Sequence, residues 1–411
     1  MIQPVAFEPV ALSANSIRLI NRLDFTDLDQ FTFSWYIKAN GVKLHGGDLE
    51  VGSLAPHGEK IINLPLPVIA PQPGVEYFLT IEAHTRYASS LLPAGELAAW
   101  EQFGLPVFQA PLQPRESNKI VNYQDNGQQI TIADGDFELQ FNRTTGWLQS
   151  YAWQGQPIMA SPLQPHFWRA ATDNDIGNSQ QIRCAVWKDV LQTVRLDSMQ
   201  VSKTDDGHVT IHTWHYLSAV KAVYQATYTV AAGGEVQVAV GMIAGKERMP
   251  ELPRFGMRLL LQGAFDQVRW LGRGPFDNYA DRNTAAAVDV YSMNASQLFH
   301  PYPRAQESGY RTEVRWMQLV NGKGMGLIAQ GNPLISAGVL HFNMDRLEFD
   351  RHAAENNHGG SMINEDKVWW NIDFKQMGVG GDNSWGAKPH AEYWLPYQDY
   401  HYSFTLRPIV K

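Results

Sequence analysis

The chain holds 411 residues, too many for one ordinary hydrophobic core and enough for two domains, one of them small. With 44% hydrophobic and 18% charged residues it has the make-up of a globular protein rather than a disordered one. A formal charge of −8 with no Lys/Arg-rich run argues against nucleic acid and anionic membranes as partners, since either would repel it.

Residues 1–108 read as a small β-domain. Phe31, Phe33, Trp35 and Ile37 alternate with polar neighbours, and Asn40-Gly41 closes the run as a hairpin turn. Tyr77–Ala83 gives a further strand. Short strands, a Trp at mid-domain and about 100 residues suggest an immunoglobulin-like sandwich. Gly95–Trp100 reads as a brief helical turn at its end. Pro106, Pro111 and Pro114, followed by Arg115-Glu116-Ser117-Asn118, mark a stiff linker over 109–119.

Residues 120–411 are again mostly β. Phe137, Leu139 and Phe141 alternate, and Asn142–Gly146 turns the chain into Trp147–Tyr151. A second hairpin pairs Val223–Val230 with Glu235–Val240. Strands are expected over His208–Tyr216, Gln267–Trp270, Gly326–Ala329, Trp369–Phe374 and Tyr400–Leu406. One helix is expected where Cys184, Trp187, Leu191 and Val194 fall at helical spacing. Nothing alternates strand and helix as a (β/α)8 barrel requires. An antiparallel array of this length closes most economically as one large two-sheet sandwich.

The single cysteine, Cys184, excludes an intrachain disulfide and a cysteine-based zinc site, and fits a buried residue of a reducing compartment. Met1-Ile2-Gln3-Pro4-Val5 lacks a basic n-region followed by an apolar h-region, and no run approaches the ~20 apolar residues of a membrane span. A cytoplasmic location is the resulting expectation.

The local chemical motifs are weak. Gly272-Arg273-Gly274 lacks the third glycine of a dinucleotide fingerprint, because position 277 is Asp. Asn321–Gly326 is glycine-rich without the ending of a phosphate loop. His352 and His358 stand six apart beside Glu355, Asn356 and Asn357, which matches no metal-ligand spacing, so no metal is expected. Asp173-Asn174-Asp175-Ile176-Gly177 lacks the late Glu of a calcium loop and reads as a sharp turn whose side chains satisfy its own backbone. Glycoside hydrolysis needs two carboxyl groups about 5–10 Å apart. Only Asn364-Glu365-Asp366 offers an attractive Asn-Glu pair, and its flanks look like a loop entering a strand. No catalytic residue is therefore assigned.

Met377-Gly378-Val379-Gly380-Gly381-Asp382-Asn383-Ser384-Trp385 is more informative. Small residues and an Asp-Asn pair deliver a lone Trp at a loop tip, where a fixed indole suits the apolar face of a sugar. A core Trp after a tight turn fits the same loop equally well.

Three segments together change the reading: Phe167–Gly177 (FWRAATDNDIG), Trp270–Arg282 (WLGRGPFDNYADR) and the Gly380–Trp385 loop. In this order and at these distances they resemble the C-terminal region of the large bacterial β-galactosidases, glycoside hydrolase family 2. Ala171 and Ala280 stand where the family usually has Pro, and Asp277 where it has Glu. The resemblance implies an all-β chain, with an immunoglobulin-like sandwich over 1–108 and a galactose-mutarotase-like β-supersandwich over 120–411. It implies that the catalytic glutamates, and the Mg²⁺ and Na⁺ sites, lie on a barrel absent here, so this chain alone is inactive and carries no cofactor. It implies that Trp385 contacts the galactoside substrate, that Asp382, Asn383 and Ser384 support its loop, and that Arg169–Gly177 and Gly272–Arg282 are structural or touch the barrel. The partner it implies is a barrel-containing β-galactosidase chain or N-terminal half, in an oligomer. An initial Met at a domain boundary fits a small subunit or an excised half. A stand-alone carbohydrate-binding protein is the alternative. Aldose epimerisation is a third reading, without an evident acid-base pair.

Overall fold

In the computed structural model, residues 3–112, 120–348, 358–383 and 385–410 are described. Two compact units divide the chain, Met1–Arg115 and Glu116–Lys411. Residues 113–119 of the expected linker, and His352, Glu355, Asn356 and Asn357, lie outside the described residues, as does Ser384. No helix among the described residues is long and apolar enough to cross a membrane.

The first unit is a sandwich of two antiparallel sheets. One carries Val5–Ala11, Ser16–Asn21 and Glu59–Asn63; the other runs Val42–Leu49, Phe31–Ala39, Tyr77–Thr85, Leu97–Gly104. Phe31, Phe33, Trp35 and Ile37 point inward in alternation, as expected, and share one core with Leu79 and Ile81 of the neighbouring strand and with Phe7, Ile17 and Leu19 of the facing sheet. Asn40 and Gly41, at φ 42 and 86, form the tight turn that pairs Ala39 with Val42. The expected helical turn at 95–100 is instead a strand. Only Gly95 turns, at φ 82, and Leu97–Gly104 pairs with Tyr77–Thr85 along its length. An open sheet edge supplied backbone partners that a single helical turn would leave unmade.

The second unit is built on a twelve-stranded antiparallel sheet. Its main path runs Met159–His166, Arg254–Gln262, Lys367–Gln376, Gly326–Leu340, Tyr400–Ile409, Val236–Ile243, Ala222–Val230, Val209–Leu217, Val194–Lys203. Tyr310–Val320, Gln267–Gly274 and Ala287–Asn294 branch from Gly326–Leu340. A five-stranded sheet packs on it, running Gln156–Pro157, Leu148–Trp153, Phe137–Asn142, Gln129–Ala133, Asn122–Asp125. Both hairpins read from the sequence are present, with Phe137 opposite Trp153 and Val230 opposite Val236.

One continuous core joins the two sheets through Phe141, Tyr151, Tyr224, Tyr228, Phe255, Trp270 and Trp370. Truncating any one of these aromatics to Ala should cost about 3–5 kcal/mol. The chain is thus all-β, as expected.

The helix expected through Cys184–Val194 is broken. It comprises a helical turn at Gln180–Arg183 and two 3-10 turns, Ala185–Trp187 and Val190–Thr193, before Val194 opens a strand. Cys184 and Trp187 are buried as the spacing expects, but Leu191 and Val194 are only half-buried and Val190, off that spacing, is buried instead. Asp189 at φ −107 interrupts the run, and packing against the sheet holds each short piece.

Candidate functional site

Trp385 is 86% exposed, and among the described residues no other tryptophan is exposed to a comparable degree. The core reading of this residue is therefore excluded. What holds an exposed indole in place is the loop beneath it, and that loop is fastened by the two upstream segments.

The first fastening is a short helix, Asp173–Gly177. The Thr172 side chain accepts from the Asp175 amide at 3.2 Å, and Asp175 Oδ2 accepts from the Thr172 amide at 3.0 Å, a reciprocal cap. This corrects the sharp-turn reading: the side chains do satisfy backbone groups, but they start a helix. The other Asp175 oxygen faces Arg169, whose Nη2 donates to it at 2.9 Å. Arg169 is 0% exposed and also donates to two loop carbonyls, Met377 through Nη1 and Gly378 through Nη2, the latter at 2.8 Å. One planar guanidinium thus ties a capped helix to the start of the loop, a geometry lysine cannot reproduce.

At the far end of the same helix Gly177 meets Gly386, which has φ +99. A Cβ on Gly386 would stand 2.3 Å from the Gly177 carbonyl carbon, and a Cβ on Gly177 would stand 2.8 Å from Gly386 Cα. Neither position admits a side chain.

The second fastening is Asp281, whose Oδ2 accepts from the Gly380 amide at 2.7 Å. Its segment is itself rigid. Asn278 Oδ1 accepts from the Thr312 amide and hydroxyl at 3.0 and 2.6 Å, and Asp277 takes Arg282 and the Tyr302 hydroxyl, each at 3.2 Å.

The loop also closes on itself. Asn383 Oδ1 accepts from the amides of Trp385 at 2.9 Å and Ala387 at 3.3 Å, and Asp382 pairs with His390 at 2.8 Å. The Asp382 carboxylate raises the His390 pKa, first through the hydrogen bond and then through its charge.

Behind the loop lies a buried ionic group. Arg254 donates to Asp373 at 2.7 Å and to Glu307 at 3.2 Å. Burial pushes the Asp373 carboxyl up to about 7, against the pull of Arg254, and raises Glu307 for the same reason. Glu365, the carboxylate weighed for catalysis, lies elsewhere and accepts from the Asn343 amide at 3.4 Å. Sequence reasoning placed Trp385, Asp382 and Asn383 on one loop but did not foresee Arg169, Asp175, Gly177 and Asp281 as its clamps. The Thr172-x-x-Asp175 spacing was the one local signal available.

The sequence model of the family described as "Beta galactosidase small chain" matches residues 133–406, which hold all of these clamps. The chain belongs to the β-galactosidase small-chain family. The description "Beta-galactosidase, domain 4" matches residues 17–106. Among curated proteins, the β-galactosidase of Priestia megaterium is 32% identical over 411 residues, covering 99% of this chain and 39% of that protein. The β-galactosidase of Vibrio cholerae is 31% identical over 366 residues, 86% of this chain and 34% of that protein. The chain therefore spans well under half the length of these relatives. Among solved structures, galactose 1-epimerase from Lactobacillus acidophilus aligns with a TM-score of 0.40 at 9% identity, over 71% of this chain and 99% of that one.

Proposed function

We propose that this chain is the C-terminal part or small subunit of a β-galactosidase, and that Trp385 offers its indole as a platform to the galactoside. The catalytic glutamates and any Mg²⁺ or Na⁺ sites are assigned to the region of the relatives that this chain does not span. The observation that carries the reading is an exposed tryptophan whose loop is clamped by Arg169, Asp281 and the Gly177–Gly386 contact. A loop held this way presents the indole without its backbone first being ordered, so only the rotamer freedom of Trp385 is lost on binding. Stacking of this kind contributes about 1 kcal/mol beyond area burial, enough to tune substrate entry and too little to drive bond cleavage. The substrate class is terminal β-D-galactosides such as lactose, and hydrolysis with retention is completed by the other region. A cytoplasmic setting agrees with the lone, buried Cys184.

The test is hydrolysis of a chromogenic β-galactoside by this chain alone and in a mixture with the barrel-containing region of a family β-galactosidase. Activity is expected only in the mixture, with Trp385→Ala raising the KM for lactose about fivefold, the equivalent of that stacking energy. Hydrolysis by the chain alone, or a native KM in the variant, overturns the proposal.

A further inference from the structure

A largely buried cation without a counterion stands on the large sheet, in a cavity that no residue of the Trp385 loop lines. Arg258 sits midway along Arg254–Gln262, opposite Gln164 on one neighbouring strand and Asn371 on the other. Met257 and Leu259 point into the core, so Arg258 projects from the opposite face.

The buried Arg169, Arg254 and Arg311 each bond to carbonyls or carboxylates. Among the described residues Arg258 makes neither a hydrogen bond nor an ion pair; Arg22, Arg248 and Arg269 share that state but are exposed and solvated. Burial pulls the Arg258 pKa down to about 10, so the group stays charged at neutral pH, and Asp345 acts the other way without reaching ion-pair distance. His166, in the same cavity, is held neutral, first by burial and then by the charges of Arg258 and Arg254. The Arg258 nitrogens are not sealed off, as Arg254 Nε and the Tyr224 hydroxyl are; they open on the cavity. The Trp369 ring lies 4.9 Å from the guanidinium carbon, covering one face of the plane and leaving its N–H edge for a ligand.

The cavity holds about 190 Å³, below the ~300–1,000 Å³ of sites for drug-sized ligands. Its wall is mostly apolar, made by Phe167, Trp168, Trp187, Val190, Leu191 and Met344. The other charged groups on it, Lys188, Asp189 and Asp345, are exposed. Lys188 pairs with Glu348 at 3.5 Å, Asp189 accepts from Gln192 at 2.8 Å, and Asp345 accepts from Asn343 at 3.0 Å. Water and salt screen those three, but not a buried guanidinium, whose desolvation is costly until it is paired.

We infer that this cavity binds a small monocarboxylate, its carboxylate on the Arg258 fork and its short alkyl chain against Trp168, Trp187 and Leu191. A guanidinium edge takes two carboxylate oxygens in parallel. An inorganic anion would meet the same edge but leave the apolar wall uncovered. The site is built by this chain alone and is independent of the platform reading.

The experiment is saturation-transfer NMR on the full chain with sodium butyrate, at an ionic strength held constant with sodium chloride. Saturable binding is expected, with a midpoint on the order of millimolar. Butyramide, the neutral isostere, should bind at least about thirtyfold more weakly, and so should butyrate to Arg258→Met, because each removes one partner of a desolvated charge pair. Arg258→Met also removes an uncompensated buried charge, so it should melt no lower than the parent. Arg269→Met, at an exposed arginine over Trp316, should bind butyrate as the parent does. Lack of saturation, equal binding of butyramide, a parental midpoint in a folded Arg258→Met, or an equal loss in Arg269→Met overturns the inference. The butyramide comparison decides the matter even where Arg258→Met fails to fold.

Discussion

Replacing Gly386 by Ala would displace Trp385 without altering the indole. The added Cβ would lie 2.3 Å from the Gly177 carbonyl carbon, 2.6 Å from its oxygen and 2.7 Å from the Asn178 nitrogen. All three are backbone atoms, so no rotamer change relieves the clash. A non-glycine residue at positive φ adds roughly 1–2 kcal/mol, and overpacking of this kind about 1–3 kcal/mol. Holding the native loop would therefore cost roughly 2–5 kcal/mol. Lifting the tip away from Gly177 costs less, because the Asn383 bonds to Trp385 and Ala387 travel with it. The stem keeps its Arg169 and Asp281 clamps. The variant should thus melt within about 3 °C of the parent, a shift of under 1 kcal/mol for a unit of this size. Amide exchange at Trp385 and Ala387 should rise at least about tenfold, one RT-scaled decade of local opening. In the reconstituted enzyme its lactose KM should approach that of Trp385→Ala, and the double variant should be no worse than either. Native exchange rates at 385–387, or a melting point lowered by 10 °C or more, would refute the view of a separately fastened tip.

Two pH effects follow from the same region. His390 has its pKa raised by Asp382, so the pair's contribution is complete below the imidazole's unfolded value near 6.5 and is lost as pH rises through the higher folded value. Protection of the amides at 382, 383 and 385–387, referenced to the intrinsic exchange rate at each pH, should accordingly be greater at pH 6 than at pH 8.5, and His390→Gln should abolish the difference; an unaltered profile of protection in that variant would count against the pairing. Asp373 is pushed from 3.8 up to about 7, so its folded form retains a proton that the unfolded form has lost. Its contribution is complete below 3.8 and fades as pH rises toward 7. The deficit in melting temperature of Asp373→Asn should therefore shrink between pH 4.5 and 7.5, and a deficit that stays constant would show the carboxyl to be ionised throughout.

Local patterns carried the strands well. Alternation in Phe31–Ile37 and Phe137–Phe141 survives as alternation of burial, and Asn40-Gly41 turns where its φ freedom allows. Patterns failed where the partner is remote. Leu97–Gly104 is a strand because Tyr77–Thr85 offers it an edge, and the Cys184–Val194 periodicity is cut up by the sheet beneath it. The loop motif announced Trp385 and its Asp382-Asn383 turn, but Arg169 is 208 residues from Met377, and Asp281 is 99 from Gly380. No spacing within either segment encodes such a meeting.

The strand Tyr400–Ile409 sits in the interior of the large sheet, between Val236–Ile243 and Gly326–Leu340. Among the described residues it alone links, along the main path, the four strands from Met159–His166 to Gly326–Leu340 with the four from Val236–Ile243 to Val194–Lys203. During synthesis both halves leave the ribosome before it, each presenting an unpaired edge rich in Val, Leu and Ile. Completion of the sheet is thus a late event of high contact order, and until it occurs those edges are open to association with other chains. Chaperone dependence of this chain should then track how long that gap stays unfilled, rather than the stability of the finished fold.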